Sequence, residues 1–167
     1  MFMSTMNAKA LWRTLSLAGI VAGAMAIGAT PSFAGECPAN KMVTDGQGQT
    51  DAGMAAKDVT DAVLASTDLA KEAVALPDHL FRLRRLEIKA GGIVPWHSHG
   101  DRPAMIYIVS GEVTEYASTC AVPIVHKAGD VARETHTTAH WWKNTGEKTA
   151  VLISVDILHD KMEERMM

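Results

Sequence analysis

Three histidines, His97, His99 and His140, sit inside two short glycine-bounded segments, and imidazole is the commonest side-chain ligand for divalent transition metals. The first segment runs from Gly91 through Trp96-His97-Ser98-His99 to Gly111; the second runs from Gly129-Asp130 through His140-Trp141-Trp142 to Asn144. On an extended chain, residues two apart share a face, so His97 and His99 aim together. A third imidazole from a separate strand would complete a facial set of nitrogen donors. Such a set suits Fe, Mn, Zn, Ni or Cu and leaves coordination positions open. The expected cofactor is therefore one divalent transition metal on His97, His99 and His140. His79, His126 and His159 stand outside this spacing and read as surface or satisfied core histidines.

Strands must position these rings. Met105 to Val109 is β-branched and aromatic and is followed by the turn-like Ser110-Gly111-Glu112, which predicts a strand and hairpin after the first two histidines. Val113 to Tyr116 and Ile124 to His126 read as the next strands, and Phe81 to Ile88 as one before them. His140-Trp141-Trp142 opens another, which stops at Asn144-Thr145-Gly146. If the histidines face inward, so do Ala104, Ile106, Ile108, Trp142 and Asn144, whereas Tyr107, Trp96 and Trp141 face away. The site then adjoins an apolar cavity, with Trp142 as a wall or substrate contact or as plain core packing.

Taken together, these segments resemble the motifs of the cupin superfamily. Its first motif, glycine, five residues, His-x-His, three or four residues, glutamate, six residues, glycine, is met by Gly91, His97, His99 and Gly111; its glutamate position holds Ala104. Its second motif, glycine, five residues, Pro-x-Gly, two residues, histidine, three residues, asparagine, is met by Gly129, His140 and Asn144. Here Thr135-His136-Thr137 replaces Pro-x-Gly. The resemblance covers roughly residues 76 to 158 and implies an all-β jelly-roll barrel, a double-stranded β-helix. It implies a three-histidine metal site without the carboxylate, Asn144 as a support, and a homodimer in which Tyr107 and Trp141 suit a contact face. Cupins include oxygenases, isomerases and binding proteins, so the fold alone selects no reaction.

Around the histidines, Asp101, Glu134 and His136 are the candidates for a fourth ligand, and Glu134 and His136 the weak candidates for catalysis; each reads rather as a rim or turn residue. Arg102 at the rim could hold a substrate carboxylate, or pair with Asp101 as an ordinary turn arginine. Arg82, Arg84 and Arg85 read as solvated or paired strand positions rather than as an anion site.

Ahead of the barrel, Lys9 and Arg13 precede an uncharged apolar run, Leu15 to Ala29, and a small-x-small site at Ser32-Phe33-Ala34. This is the pattern of a secretory signal peptide, residues 1–34, cut after Ala34. The apolar run is shorter than the ~20 residues of a spanning helix, so no stable membrane anchor is expected. The product is expected in the periplasm or outside the cell. In that oxidising setting Cys37 and Cys120 are expected to form a disulfide rather than remain two thiols.

The remaining 167 − 34 = 133 residues carry a formal charge of −3 − 2 = −5, since the removed segment holds two bases and no acid. A mildly acidic domain without a basic stripe excludes nucleic acid and anionic membranes as expected partners. Residues 35–75 read as an irregular arm with an edge strand at Val63 to Leu69, residues 76–160 as the barrel, and 161–167 as a charged tail. The expected function is an exported metal-binding cupin. One reading is a metal-dependent oxygenase acting on a small molecule, and the other a non-catalytic periplasmic protein that binds a metal or small ligand.

Overall fold

Alternation of buried and exposed side chains governs the strands of the barrel. In the computed structural model, which describes residues 35–159, the strands are β1 (Lys57–Asp68), β2 (His79–Ser98), β3 (Ala104–Ser110), β4 (Glu112–Ala117), β5 (Ile124–Lys127), β6 (Val131–Glu134), β7 (Ala139–Lys143) and β8 (Ala150–His159). They form one antiparallel sheet in the order β5-β4-β7-β2-β8-β3-β6, with β1 paired to β2, and it curls into the nearly closed all-β jelly roll expected from the sequence. The expected signal peptide, residues 1–34, and the tail, 161–167, lie outside the described residues.

Inward positions supply the core. Leu86 and Ile88 of β2, Ile106 and Ile108 of β3, Val113 of β4, Ala132 of β6, Trp142 of β7, and Ala150 and Leu152 of β8 pack into one cluster. Burying a side chain such as Ile108 or Leu152 contributes about 1.5–3 kcal/mol each. Tyr107 faces out as parity requires and is 48% exposed. Trp141 also faces out, yet it is buried by a stacked Tyr116, with ring centroids 3.8 Å apart.

One long strand joins the two halves of the barrel. The first part of β2 pairs with β8, from His79↔His159 to Ile88↔Ala150, and the second part pairs with β7, from Ile93↔Lys143 to Ser98↔Ala139. The bend between them falls at Gly91-Gly92. Gly91 has φ +75°, and a Cβ on Gly92 would lie 2.8 Å from the Lys89 carbonyl oxygen, so side chains are excluded from both positions. Asn144 ties this corner down. Its Nδ2 donates to the carbonyls of Ile88 and Lys148, both at 2.7 Å, and its Oδ1 accepts from the Gly146 N–H at 2.9 Å.

The arm is irregular up to residue 56, as expected, but it is fastened. Cys37 and Cys120 form a disulfide with Cα atoms 5.8 Å apart, a bond of the kind that contributes about 2–5 kcal/mol in a small domain. Beside it the Val43 N–H donates to the Thr119 carbonyl and the Ala121 N–H to the Lys41 carbonyl, each at 2.9 Å. The edge strand is longer than the sequence suggests and starts earlier, covering Lys57–Asp68, while Leu69 opens a 3-10 turn. Because β1 is exposed along most of its length, burial imposes no alternation on it, and its strand state comes from pairing with β2. The sheet therefore begins before residue 76. No helix among the described residues is long and apolar enough to cross a membrane.

Candidate metal centre

The three histidines predicted to meet do meet. His97, near the end of β2, pairs in register with His140 of β7. His99 lies just past β2, where its N–H donates to the Thr138 carbonyl at 2.8 Å. The three Nε2 atoms are each 3.1 Å from the other two.

Each remaining ring nitrogen is engaged. Nδ1 of His97 donates to the Pro95 carbonyl at 2.9 Å, Nδ1 of His99 to the Arg102 carbonyl at 2.8 Å, and Nδ1 of His140 to Glu115 Oε1 at 2.6 Å. The Trp142 indole N–H also points at His140 Nδ1, at 2.9 Å. One nitrogen cannot both donate to Glu115 and accept from Trp142, and the short contact to a carboxylate is the stronger bond. With Nδ1 committed on every ring, Nε2 is the nitrogen left to bind a cation, which is how backbone and carboxylate partners orient metal-binding histidines. Burial first, and the neighbouring His140 second, push His97 and His99 down to about 3, so both are neutral donors at neutral pH. Metal–nitrogen bonds of about 2.0–2.1 Å place neighbouring donors of a facial set about 3 Å apart, so the donor set fits a divalent transition metal.

Behind His140 lies a polar row that the motifs do not reveal. Glu115 accepts from His140 on one oxygen and from His126 Nε2 on the other, at 2.7 Å. Burial opposes its ionisation, but the bonds from His126 and His140 outweigh that and hold the carboxyl down to about 2. His126 is thus a core histidine, as expected, but it is satisfied on Nε2 alone: its Nδ1 is buried without a hydrogen-bond partner, and the ring stacks on Trp142 at 4.8 Å. Glu115 could have been found from strand parity, since it falls between the inward residues Val113 and Ala117.

Glu134 is neither a rim nor a turn residue. It ends β6 facing inward, 2% exposed and directly opposite Ala104. Burial, then the Glu115 carboxylate, pushes it well above the usual carboxylate range, which disfavours its charged form. Its Oε2 is 3.4 Å from His140 Nδ1, on the opposite side of the ring from Nε2, and neither oxygen has a hydrogen-bond partner. His136 is exposed in a turn closed by the Thr138 N–H donating to the Thr135 carbonyl at 2.8 Å. That turn replaces the Pro-x-Gly of the second motif. Asp101 is exposed as well.

The histidines open into a cavity of about 390 Å³ whose walls include Leu86, Ile106, Leu152 and Trp142. Trp142 is therefore both core and wall. Trp96 also lines the cavity, contrary to its expected outward direction. The register of β2 on β7 shifts by one between Val94 and His97, and this bulge brings two successive side chains, Trp96 and His97, to the same space. Arg102 lines the cavity too and lies 3.7 Å from Asp156, not beside Asp101. Arg82 and Arg84 are paired strand residues, but they are buried rather than solvated, and Arg84 reaches the cavity. A larger cavity of about 560 Å³ lies beneath the arm and contains none of the three histidines.

Residues 84–156 match the Cupin domain family. No curated protein matches the sequence. Among solved structures, the chain is similar to the cupin domain of Schizosaccharomyces pombe Cnp3, at 19% identity over 65% of this chain and 70% of that one, with a TM-score of 0.48. It is similar to a Klebsiella pneumoniae protein with a double-stranded β-helix domain, at 18% identity over 68% and 85% of the chains, TM-score 0.48. KdgF from a Halomonas species is similar at 15% identity over 70% and 98%, TM-score 0.48.

Proposed function

Residues 84–156 form a cupin domain, and from that premise we propose that the protein binds one divalent transition metal and acts on a small molecule as a metal-dependent enzyme of the oxygenase type. The observation that carries the metal assignment is the convergence of three Nε2 atoms at 3.1 Å while each Nδ1 is held by an oxygen. His97, His99 and His140 would hold the ion, which when bound supplies Lewis-acid or redox chemistry at its open positions. Glu115 keeps His140 turned toward the ion. Leu86, Ile106, Leu152 and the two tryptophans give the adjoining space its apolar walls.

Two features support the non-catalytic alternative, a metal- or ligand-binding protein. His136 is exposed outside the cavity, and Glu134 lies behind His140, so neither weak catalytic candidate reaches a substrate beside the histidines. Export to the periplasm is part of the proposal in either reading, supported by the Cys37–Cys120 disulfide, a bond typical of oxidising compartments.

Elemental analysis of protein purified without added metal tests the assignment. The expected result is about one Fe, Mn, Zn, Ni or Cu per chain, lost in His97→Ala, His99→Ala and His140→Ala. Unchanged metal content in those variants would overturn the site. Oxygen consumption with a panel of small molecules then separates the enzyme from the binding protein, which would show ligand-dependent stabilisation alone.

A further inference from the structure

We propose that the cavity beside the histidines takes a small organic carboxylate, gripped by Arg102 with Arg84 beside it. This deepens the metal reading by naming the class of ligand, and it rests on that reading only for where the ligand's other end lies.

The argument begins with strand parity. Arg82 and Arg84 of β2 face inward, Asp156 faces inward from β8, and Arg102 enters from the turn after β2. Three guanidinium groups thereby converge on one buried carboxylate, and they share it unequally. Arg82 takes both oxygens, with Nε at 2.9 Å from Oδ1 and Nη2 at 3.0 Å from Oδ2. Arg84 Nη2 reaches Oδ2 at 2.9 Å, and its Nη1 meets Asp61. Arg102 Nη1 comes only to 3.7 Å, beyond hydrogen-bond range. Glu134, the other buried carboxyl nearby, attracts Arg102 electrostatically but makes no hydrogen bond to it.

Of the three guanidinium groups, Arg102 is therefore the one that Asp156 holds least. The Arg102 side chain is only 15% exposed, so water supplies little of the missing partnership. The Nε atoms of Arg84 and Arg102 are buried without a partner, and buried donors in that state call for an acceptor.

Both residues line the cavity that holds the three histidines, and Ser154 adds a hydroxyl to the same wall. The planar fork of a guanidinium matches the two coplanar oxygens of a carboxylate. The apolar walls fit a short carbon body, and a volume of about 390 Å³ suits a small ligand.

Isobutyrate and its neutral isostere isobutyramide test this, by calorimetric titration of the full chain in both metal-loaded and chelator-treated forms. Isobutyrate is expected to bind about tenfold or more tightly than the amide in both forms. Arg102→Gln should abolish the preference while metal content stays at the wild-type level. Equal affinity for the two probes, no binding of isobutyrate at tens of millimolar, or a preference that survives Arg102→Gln would overturn the proposal. Should Arg102→Gln lose its cooperative melt, Arg102→Lys decides. It keeps the charge but not the fork, so the preference should fall about threefold or more, and an unchanged preference would count against the fork. A wild-type chain that holds no metal yet still prefers the carboxylate would sink the metal reading and leave this one standing.

Discussion

The histidine cluster and the arginine cluster line one cavity, yet every Nδ1 of the first has an oxygen partner while two guanidinium nitrogens of the second have none. The histidines are held by two backbone carbonyls and one carboxylate, one oxygen to each ring. The arginines crowd around Asp156, whose two oxygens cannot serve all three equally. A site finished on its protein side and open at one point is suited to an ion. A site with guanidinium donors left over is suited to a ligand that brings acceptors, and the two kinds of incompleteness call for different partners.

Acid should separate the clusters most sharply. In the metal-free protein His97 and His99 are lowered from 6.5 to about 3, so their neutral forms favour the fold. That contribution is fully present above pH 6.5 and is lost as pH falls toward 3, on the order of 3 kcal/mol per ring by pH 4. The arginines keep their charge throughout. Thermal melts of chelated protein should show this loss, and addition of Zn(II) near pH 6 should restore part of it. A chelated protein equally stable at pH 7 and pH 4 would break the contrast.

Asp156→Ala attacks the other cluster. Removing the shared carboxylate leaves three guanidinium groups facing one another and should cost about 3–5 kcal/mol in urea unfolding. The same change at Asp61, whose side chain is 38% exposed, should cost about 1 kcal/mol or less. Comparable losses from the two would mean that Asp156 is not the hub described.

Glu115→Gln sharpens the comparison from the histidine side. It keeps the shape but removes the carboxylate that orients His140, so metal affinity should fall about 10–100-fold in competition with a chelator. Affinity equal to wild type would show that the His140 ring is held by packing alone.

The two clusters also differ in how far the sequence discloses them. His97, His99, His140 and Asn144 stand at fixed spacings from glycines, because a sharp bend and tight turns must recur at set distances along a strand. The arginine cluster has no such signature, since Arg82 and Asp156 are 74 residues apart and meet only through the pairing of β2 with β8. Its local pattern also misleads. In Phe81-Arg82-Leu83-Arg84 the apolar residues invite an inward assignment, yet Phe81 is 46% and Leu83 36% exposed while the arginines go in. Charges that find a buried partner can reverse the face that hydrophobicity alone would choose. Trp96 was misplaced for a different reason, because a one-residue bulge leaves no compositional trace. Glu134 looked like a turn residue because it stands beside Thr135-His136-Thr137; it is the last residue of the strand.

The disulfide closes a ring from Cys37 to Cys120, a separation of 83 residues. His97, His99 and Glu115 lie inside that ring, and His140 lies outside it. An ion on the three histidines would close a second ring from residue 97 to residue 140, so the two rings interlock along the chain instead of nesting. Everything from the arm to the start of β7 would then lie in at least one ring, and residues 97 to 120 in both. β8 belongs to neither ring, although it sits between β2 and β3 and carries Asp156. Its place is kept by hydrogen bonds, ion pairs and the packing of Ala150 and Leu152, so the strand bearing the arginines' partner is held without any link through the disulfide or the ion.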